Sequence, residues 1–354
     1  MNNLELIENL TNLHGTSGYE DDIVNFVRQN FDTLNPERDS INNLYLSPES
    51  GKSEKPVVAL DCHSDEVGFM VEHINANGTI SFLPLGRWHA ANIPAHAVII
   101  KNSKGEYIKG VIASKPPHFM SEKERSSLPS IEDMVIDIGT GSYEETVKTF
   151  SIKVGNPITP DVSFSYDEKI GIMRGKAFDN RLGCAAVLSS LSSLAKQKLE
   201  VSPIGLICSQ EEVGTRGAQV AVNKARPDFV LVFEGSPADD TFKDKSDAHG
   251  ILGHGIQFRV MDAGMITNHR VHRFACEIAG KHNIPFQVIA RNNGHTNGSR
   301  YHIAQKGIPS LVVGIPSRYI HTHYSYASYK DFENAVKFAE TFIHSLNEYI
   351  IKSF

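Results

Sequence analysis

Residues 57–66 read VVALDCHSDE. Four apolar residues follow Pro56 and give way at once to Asp61, His63, Asp65 and Glu66. A short apolar run closed by proline on one side and by polar residues on the other reads as a buried strand. Its carboxyl end delivers an imidazole and two further carboxylates.

The same arrangement recurs along the chain. Residues 204–209 form an apolar run that leads to Glu211 and Glu212, residues 229–233 lead to Glu234, and residues 310–315 lead to His321 and His323. Helical periodicity separates these runs. Cys184, Val187, Leu188, Leu191, Leu194 and Ala195 mark one helix face, residues 270–282 a second helix, and Phe332, Val336, Ala339, Ile343, Leu346 and Ile350 a last one. Residues 286–290 read as a further strand. Alternating strands and helices predict an α/β fold, a sheet with helices on both faces. Sites in open α/β sheets form outside the carboxyl ends of the strands, so residues scattered in sequence can converge there. Asp179 lies in AFDNRLG (177–183), between a strand near 170–173 and the next helix, and faces the same rim.

At the amino end, Leu4, Ile7 and Leu10 fall at helical spacing. A second helix carries Ile23, Val24, Val27 and Phe31, with Ser17 as its expected cap. From about 67 to 160 the texture changes to short alternating segments (98–101, 107–113) divided by Asn-Gly, Lys-Gly and proline-rich turns, the pattern of a small β-rich domain. It interrupts the α/β portions and therefore reads as an insertion. Residues 115–129, with prolines, several charges and few apolar residues, read as a mobile loop. The predicted organisation is a catalytic α/β domain over 1–66 and 161–354 with an inserted domain at 67–160.

The chain has 354 residues, 40% hydrophobic and 21% charged, with a net charge of −6. This length favours more than one hydrophobic core. The mild acidic balance argues against a nucleic-acid partner. No apolar run approaches the length of a membrane span, and MNNLELIENL lacks the apolar stretch of a signal peptide. Cys62, Cys184, Cys208 and Cys276 include no CxxC pair, which points to reduced thiols and a cytoplasmic setting.

Mixed imidazole and carboxylate ligands suit zinc, cobalt or manganese. A pair of such ions needs a shared carboxylate and acidifies water near neutral pH, while one carboxylate must stay off the metals as general base. Glu211 and Glu212 would repel each other at a strand end, so a cation between them accounts for the pair better than a solvated acidic turn. One of the two would ligate and the other would carry protons. His-x-Asp suits Asp65 to hold the His63 imidazole in its ligating tautomer. His321 and His323 compete for one ligand position. One of Arg216, Arg291 and Arg318 is a candidate for a substrate carboxylate.

Seven segments together resemble the M42 family of metallo-aminopeptidases, which includes tetrahedral and glutamyl aminopeptidases, FrvX-like proteins and relatives labelled cellulase M. They are DCHSDEVGFMV (61–71), KPPHFM (115–120), IEDMVIDIG (131–139), AFDNRLG (177–183), SQEEVGTRGA (209–218), FEGSPADD (233–240) and IPSRYIHT (315–322). They run in the family's order across nearly the whole chain. The resemblance implies a dinuclear-metal exopeptidase: a mixed sheet flanked by helices, with the β-rich (PDZ-like or barrel) insertion serving dimerisation. It implies two divalent ions, with Asp179 as the bridge, His63 and Glu234 on one ion, Glu212 and His321 on the other, Glu211 as general base and Asp65 orienting His63. It implies short peptides as substrates and a dimer-based homo-oligomer extending to a tetrahedral dodecamer. A metal-dependent deacylase or deblocking hydrolase would use the same centre. A catalytically weak scaffold is the non-enzymatic alternative, against which the intact Glu211 argues. The chain departs from the family in three places. His321 is followed by Thr322, His323, Tyr324 and Ser325 where the family usually reads Ser-Pro-x-Glu. Thr296-Asn297-Gly298 stands for Thr-Asp-Ala, and Glu234 stands where many members have Asp.

Overall fold

The computed structural model describes residues 1–48 and 54–354. Among these, eleven strands form one mixed sheet and six close into a separate barrel. The centre of the large sheet is four parallel strands in the order Ser202–Cys208, Val57–His63, Phe229–Ala238 and Ser310–Arg318. Their register sets Cys208 beside His63 and Glu234 beside Gly314. The carboxyl ends of these strands therefore share one rim.

Helices cover both faces. Phe178–Leu194 is buried along most of its length because it lies between the sheet and the Tyr329–His344 helix. One apolar cluster gathers Leu60, Leu182, Val187, Phe229, Phe338 and Phe342 on that side. A second, with Ala59, Leu206, Ala221, Val230 and Tyr301, fills the opposite face. Buried aliphatic and aromatic side chains each contribute about 1.5–3 kcal/mol, so the two clusters anchor the rim rigidly.

The barrel closes in the order Gly68–Ile74, Ile80–Leu85, Val135–Asp137, Tyr107–Ile112, Ala97–Lys101, Pro157–Pro160. It has its own core of Phe69, Val71, Ile80, Phe82, Val98, Ile100 and Ile136. It is joined to the α/β part by Lys101 and Tyr107, both reaching Asp22, and by the Tyr19 hydroxyl, which donates to Gly155 O at 2.5 Å.

Several local expectations change. The second helix is Asp21–Asn30 with Glu20 at its cap, and Ser17 instead donates to Asp65 at 2.6 Å. The strand leading to Glu234 runs on to Ala238, so Glu234 lies inside the strand and not beyond it. Residues 115–129 hold two short helical turns, Pro117–Phe119 and Glu122–Ser126, the latter started by a Ser121/Glu124 capping box. The last periodic run is two helices, Tyr329–His344 and Glu348–Ser353, because Asn347 caps a new start by accepting from Ile350 N. All four cysteines are free, as expected. No helix among the described residues is long and apolar enough to cross a membrane.

Candidate metal centre

The rim brings five of the residues named from the sequence together in two overlapping groups. His63, Asp179 and Glu234 present ligand atoms within 4.8 Å of one another, and so do Asp179, Glu212 and His321. Asp179 belongs to both and turns one oxygen to each side. Its Oδ1 lies 3.1 Å from His63 Nε2, and its Oδ2 lies 3.3 Å from His321 Nε2. Glu234 Oε1 is 3.2 Å from His63 Nε2, and Glu212 Oε2 is 3.5 Å from His321 Nε2. Glu211 belongs to neither group, with Oε2 at 4.0 Å from His63 Nε2.

Local structure explains each placement. Asp179 and Asn180 leave helical geometry at the start of the Phe178–Leu194 helix, and their shared peptide is cis. Asn180 Nδ2 donates to Phe233 O at 2.8 Å, which ties that turn to the Glu234 strand. Gly235 makes the approach possible: a Cβ there would sit 2.5 Å from Asp179 Cα. Glu211 and Glu212 are held by Asp65, whose two oxygens accept from their backbone N–H groups at 2.9 and 3.1 Å. This clamp was not legible in the sequence. The His63 imidazole faces Asp65 as well, through the main-chain carbonyl at 3.1 Å and the carboxylate at 3.4 Å. His321 Nδ1 faces Arg87 O at 3.0 Å. In both histidines a Nδ1–H donated to a carbonyl leaves the Nε2 lone pair directed at the carboxylates, the tautomer of a metal ligand.

The charge balance also fits cations. Glu212 Oε1 and Glu234 Oε2 are buried and without a hydrogen-bond partner among the described residues. Burial, then repulsion from neighbouring carboxylates, pushes Glu211 well above the usual range, Glu212 up to about 7 and Glu234 up to about 8. Burial opposes protonation of His321, but the charge of Glu212 and the bond to Asp179 overcome it and push its pKa up to about 10. His63 is raised well above its ordinary value for the same reason, with Glu234 and Asp179 outweighing burial. Burial likewise opposes ionisation of Asp179, and the two imidazoles overcome it and hold the carboxyl well below the carboxylate range. Positive charge is thus favoured where the two groups converge, and the donor types suit metal cations.

A cavity of about 690 Å³ opens over the centre. Asp179, Glu211, Glu212, Glu234 and His321 are among its lining residues, and so are Arg87, Arg259, Arg291 and Arg300. Of the three arginines singled out from the sequence, Arg291 is the one that lines this cavity. Arg318 is taken up by a bidentate pair with Asp240 at 2.6 and 2.8 Å, and Arg216 reaches Gln210. Arg259 carried no signal in the sequence, because an arginine inside a strand is ordinarily a solvated edge residue. The departure at Thr296-Asn297-Gly298 also has a local cause. Asn297 Nδ2 donates at 2.9 Å to the buried Asp61, where a second carboxylate would repel it, and a Cβ at Gly298 would crowd Met265 Sδ at 2.9 Å.

A sequence model of the M42 glutamyl aminopeptidase family matches residues 42–338. The chain belongs to the M42 family. Membership makes it an aminopeptidase, a hydrolase of peptide bonds. Among M42 relatives, the glutamyl aminopeptidase of Lactococcus lactis subsp. cremoris is 32% identical over 96% of both chains. Among solved structures, a TET aminopeptidase from a marine-sediment thaumarchaeon superimposes with a TM-score of 0.94 at 31% identity, covering 99% of each chain. The TET1 peptidase of Pyrococcus horikoshii, reported to assemble into a tetrahedron or a large octahedral shell, gives 0.86 at 26% identity over 98% of this chain and all of that one. The M42 match extends through both the large sheet and the barrel, so the mixed α/β fold with its closed barrel is a property of the family and not of this chain alone.

Proposed function

We propose that this chain is a dinuclear aminopeptidase that removes acidic residues from the amino ends of short peptides. The single observation that carries the reading is the pair of ligand groups sharing Asp179, with Glu211 excluded from both. His63, Asp179 and Glu234 would hold one divalent ion, and Asp179, Glu212 and His321 the other, drawn from zinc, cobalt or manganese. When bound, such ions supply Lewis-acid polarisation of a carbonyl and acidification of water.

The chain's own residues do the rest. Glu211, free of the ligand groups and enclosed by carboxylates, takes a proton from the attacking water and returns it to the leaving amine. Asp65 keeps the Glu211 backbone fixed for that transfer and turns His63 toward the centre. The carboxylate-rich wall also suits the positive α-amino group of a peptide. The same cavity is lined by Arg259 and Arg291, whose Nε atoms are buried without partners among the described residues. Arg259 has one carboxylate, Asp262 at 3.1 Å, while Arg291 donates to Pro237 O. Burial and the neighbouring Arg259 push the Arg291 pKa down to about 10. A substrate carboxylate between the two guanidiniums would relieve that repulsion and be recognised in bidentate fashion. This favours an N-terminal Glu or Asp.

The barrel is proposed as the dimer contact, with Leu83, Val111, Tyr143 and Val154 exposed on it. Assembly as in the dodecameric form of the TET1 peptidase would give a particle of twelve 39.1 kDa chains, read directly by light scattering. Four free thiols are consistent with a reducing, cytoplasmic compartment.

The test is a panel of Glu, Asp, Leu and Lys fluorogenic amides, assayed after chelation and after return of zinc, cobalt or manganese. Glu and Asp amides should be preferred, and Arg291→Gln should reduce the Glu-to-Leu ratio of kcat/KM by about 10- to 100-fold, the worth of a charged hydrogen bond. Absence of hydrolysis with every metal would overturn the peptidase reading, and a flat panel would overturn the acidic preference alone. Hydrolysis of N-acylated amino acids in place of free-amino substrates would favour the deblocking alternative.

A further inference from the structure

The two ligand groups are supported by different parts of the fold. The His63 group is supported from the α/β part: His63 and Glu234 lie on sheet strands, Asp179 at the start of the Phe178–Leu194 helix, and the imidazole leans on Asp65 O. The His321 group leans on the barrel. Three consecutive residues following the Ile80–Leu85 barrel strand lie against it. Gly86, at φ +83°, packs so closely that a Cβ would come within 2.6 Å of Val67 and 3.4 Å of Glu212 Cβ. Arg87 O receives His321 Nδ1. The Trp88 ring faces His323, two residues beyond His321, at 5.2 Å between centroids.

His323 is the unusual member. It stands where the family reads proline, and it is 1% exposed. Neither ring nitrogen makes a hydrogen bond of good geometry among the described residues, although the Asn92 main chain faces the ring. An imidazole buried in this way contributes through its faces. One stacks on His96 at 4.0 Å and 13° between planes, and Trp88 packs beside it. Trp88 in turn stacks on Phe69 of the barrel core at 4.7 Å, and its Nε1 donates to Gly68 O at 3.1 Å. A continuous aromatic column thus runs from the barrel core to the loop that carries His321. The loop needs such a support, because Tyr319 and His321 both sit in the left-handed region, at φ +61° and +59°, which non-glycine residues occupy only when their surroundings enforce it.

We propose that the His96–His323–Trp88 stack is a positioning device that holds His321 in place, so that one of the two cation positions depends on the barrel and the other does not. The inference rests on the dinuclear reading of the centre. It predicts an asymmetry that a merely structural role for His323 would not produce: loosening the stack weakens the Asp179/Glu212/His321 position and spares His63/Asp179/Glu234.

The experiment is titration of metal-stripped full-length protein with cobalt(II), followed by calorimetry and visible absorption, for the wild type, His96→Ala, His323→Ala, His323→Phe and His321→Ala. The wild type should bind two ions. His323→Ala and His96→Ala should each weaken, by about tenfold, the event that His321→Ala abolishes, as expected for loss of one aromatic contact. The other event should stay within about twofold, inside the smallest such effect. His323→Phe, which keeps a ring and discards both nitrogens, should restore the weakened event. His96→Ala probes the same contact from the barrel side, so a His323→Ala chain that fails to fold leaves the test intact. Equal weakening of both events, no weakening of either, or failure of His323→Phe to rescue would each overturn the proposal. A wild type that binds fewer than two ions would instead remove the dinuclear reading, and the proposal with it.

Discussion

Asp179 offers the sharpest test of the centre, because it alone belongs to both ligand groups. Replacing it with asparagine preserves the shape of the side chain and removes the charge. In metal-free protein this change removes the charge that pairs with the His63 and His321 imidazoles, so stability should fall. With metal the loss is larger. A cation at 100 times its dissociation constant stabilises the folded state by about 2.7 kcal/mol, and two independent cations by about 5. At about 2 °C per kcal/mol for a domain of this size, saturating the wild type should raise Tm by roughly 10 °C. His321→Ala, which removes a ligand of only one group, should retain roughly half of that rise. Asp179→Asn should show almost none. The assay is thermal unfolding after chelation and at a fixed excess of zinc, cobalt or manganese, with bound metal counted by elemental analysis. The expected stoichiometries fall from two to one to none across the three proteins. A chelated wild type that melts at the same temperature as the metal-loaded protein, or an Asp179→Asn protein that keeps both ions, would refute the shared-ligand reasoning.

Three further outcomes follow from the same structure. Glu211→Gln should lower kcat by about 10²–10⁴-fold with both ions still bound, because Glu211 lies outside the ligand groups; loss of an ion on this change would return Glu211 to the ligand set. Lys176 is buried against Glu66 at 2.6 Å, with Arg181 at 3.1 Å from the same oxygen, so Lys176→Met should cost about 3 kcal/mol in denaturant unfolding by leaving a buried charge short of a partner. His14 is pushed down to about 4, first by burial and then by the charge of Lys176, from an unfolded value of 6.5. As pH falls below 6.5 the unfolded chain takes up a proton that the folded one refuses, so stability present at neutral pH is lost between pH 6.5 and 4, by about 2 kcal/mol after allowance for partial exposure. His14→Gln should flatten the stability profile in that window.

The sequence by itself determined the strand ends and what they carry. Apolar runs at 57–60, 204–209, 229–233 and 310–315 are each long enough to be a buried strand, and each is followed within a few residues by metal-binding side chains. The hydrophobic pattern and the chemistry are both local, so both are readable. How the ends divide into two groups was implied by the family resemblance and by no local pattern; the tertiary structure gives the physical cause. That His63 meets Glu234 and His321 meets Glu212 depends on strand order, on the turn at Asp179 and on Gly235 allowing that turn to approach, and no local pattern encodes strand order. The same holds for Asp65, whose carboxylate clamps the Glu211–Glu212 backbone from just beyond the neighbouring strand. It holds for Ser17, which caps no helix because Asp65 takes its hydroxyl. It holds for Arg259, an ordinary strand arginine until the fold turns it into the cavity wall. His323 is the clearest case. In sequence it competed with His321 as a second imidazole beside the first, and the packing of the barrel against the sheet separates the two, leaving one facing carboxylates and the other facing aromatic rings.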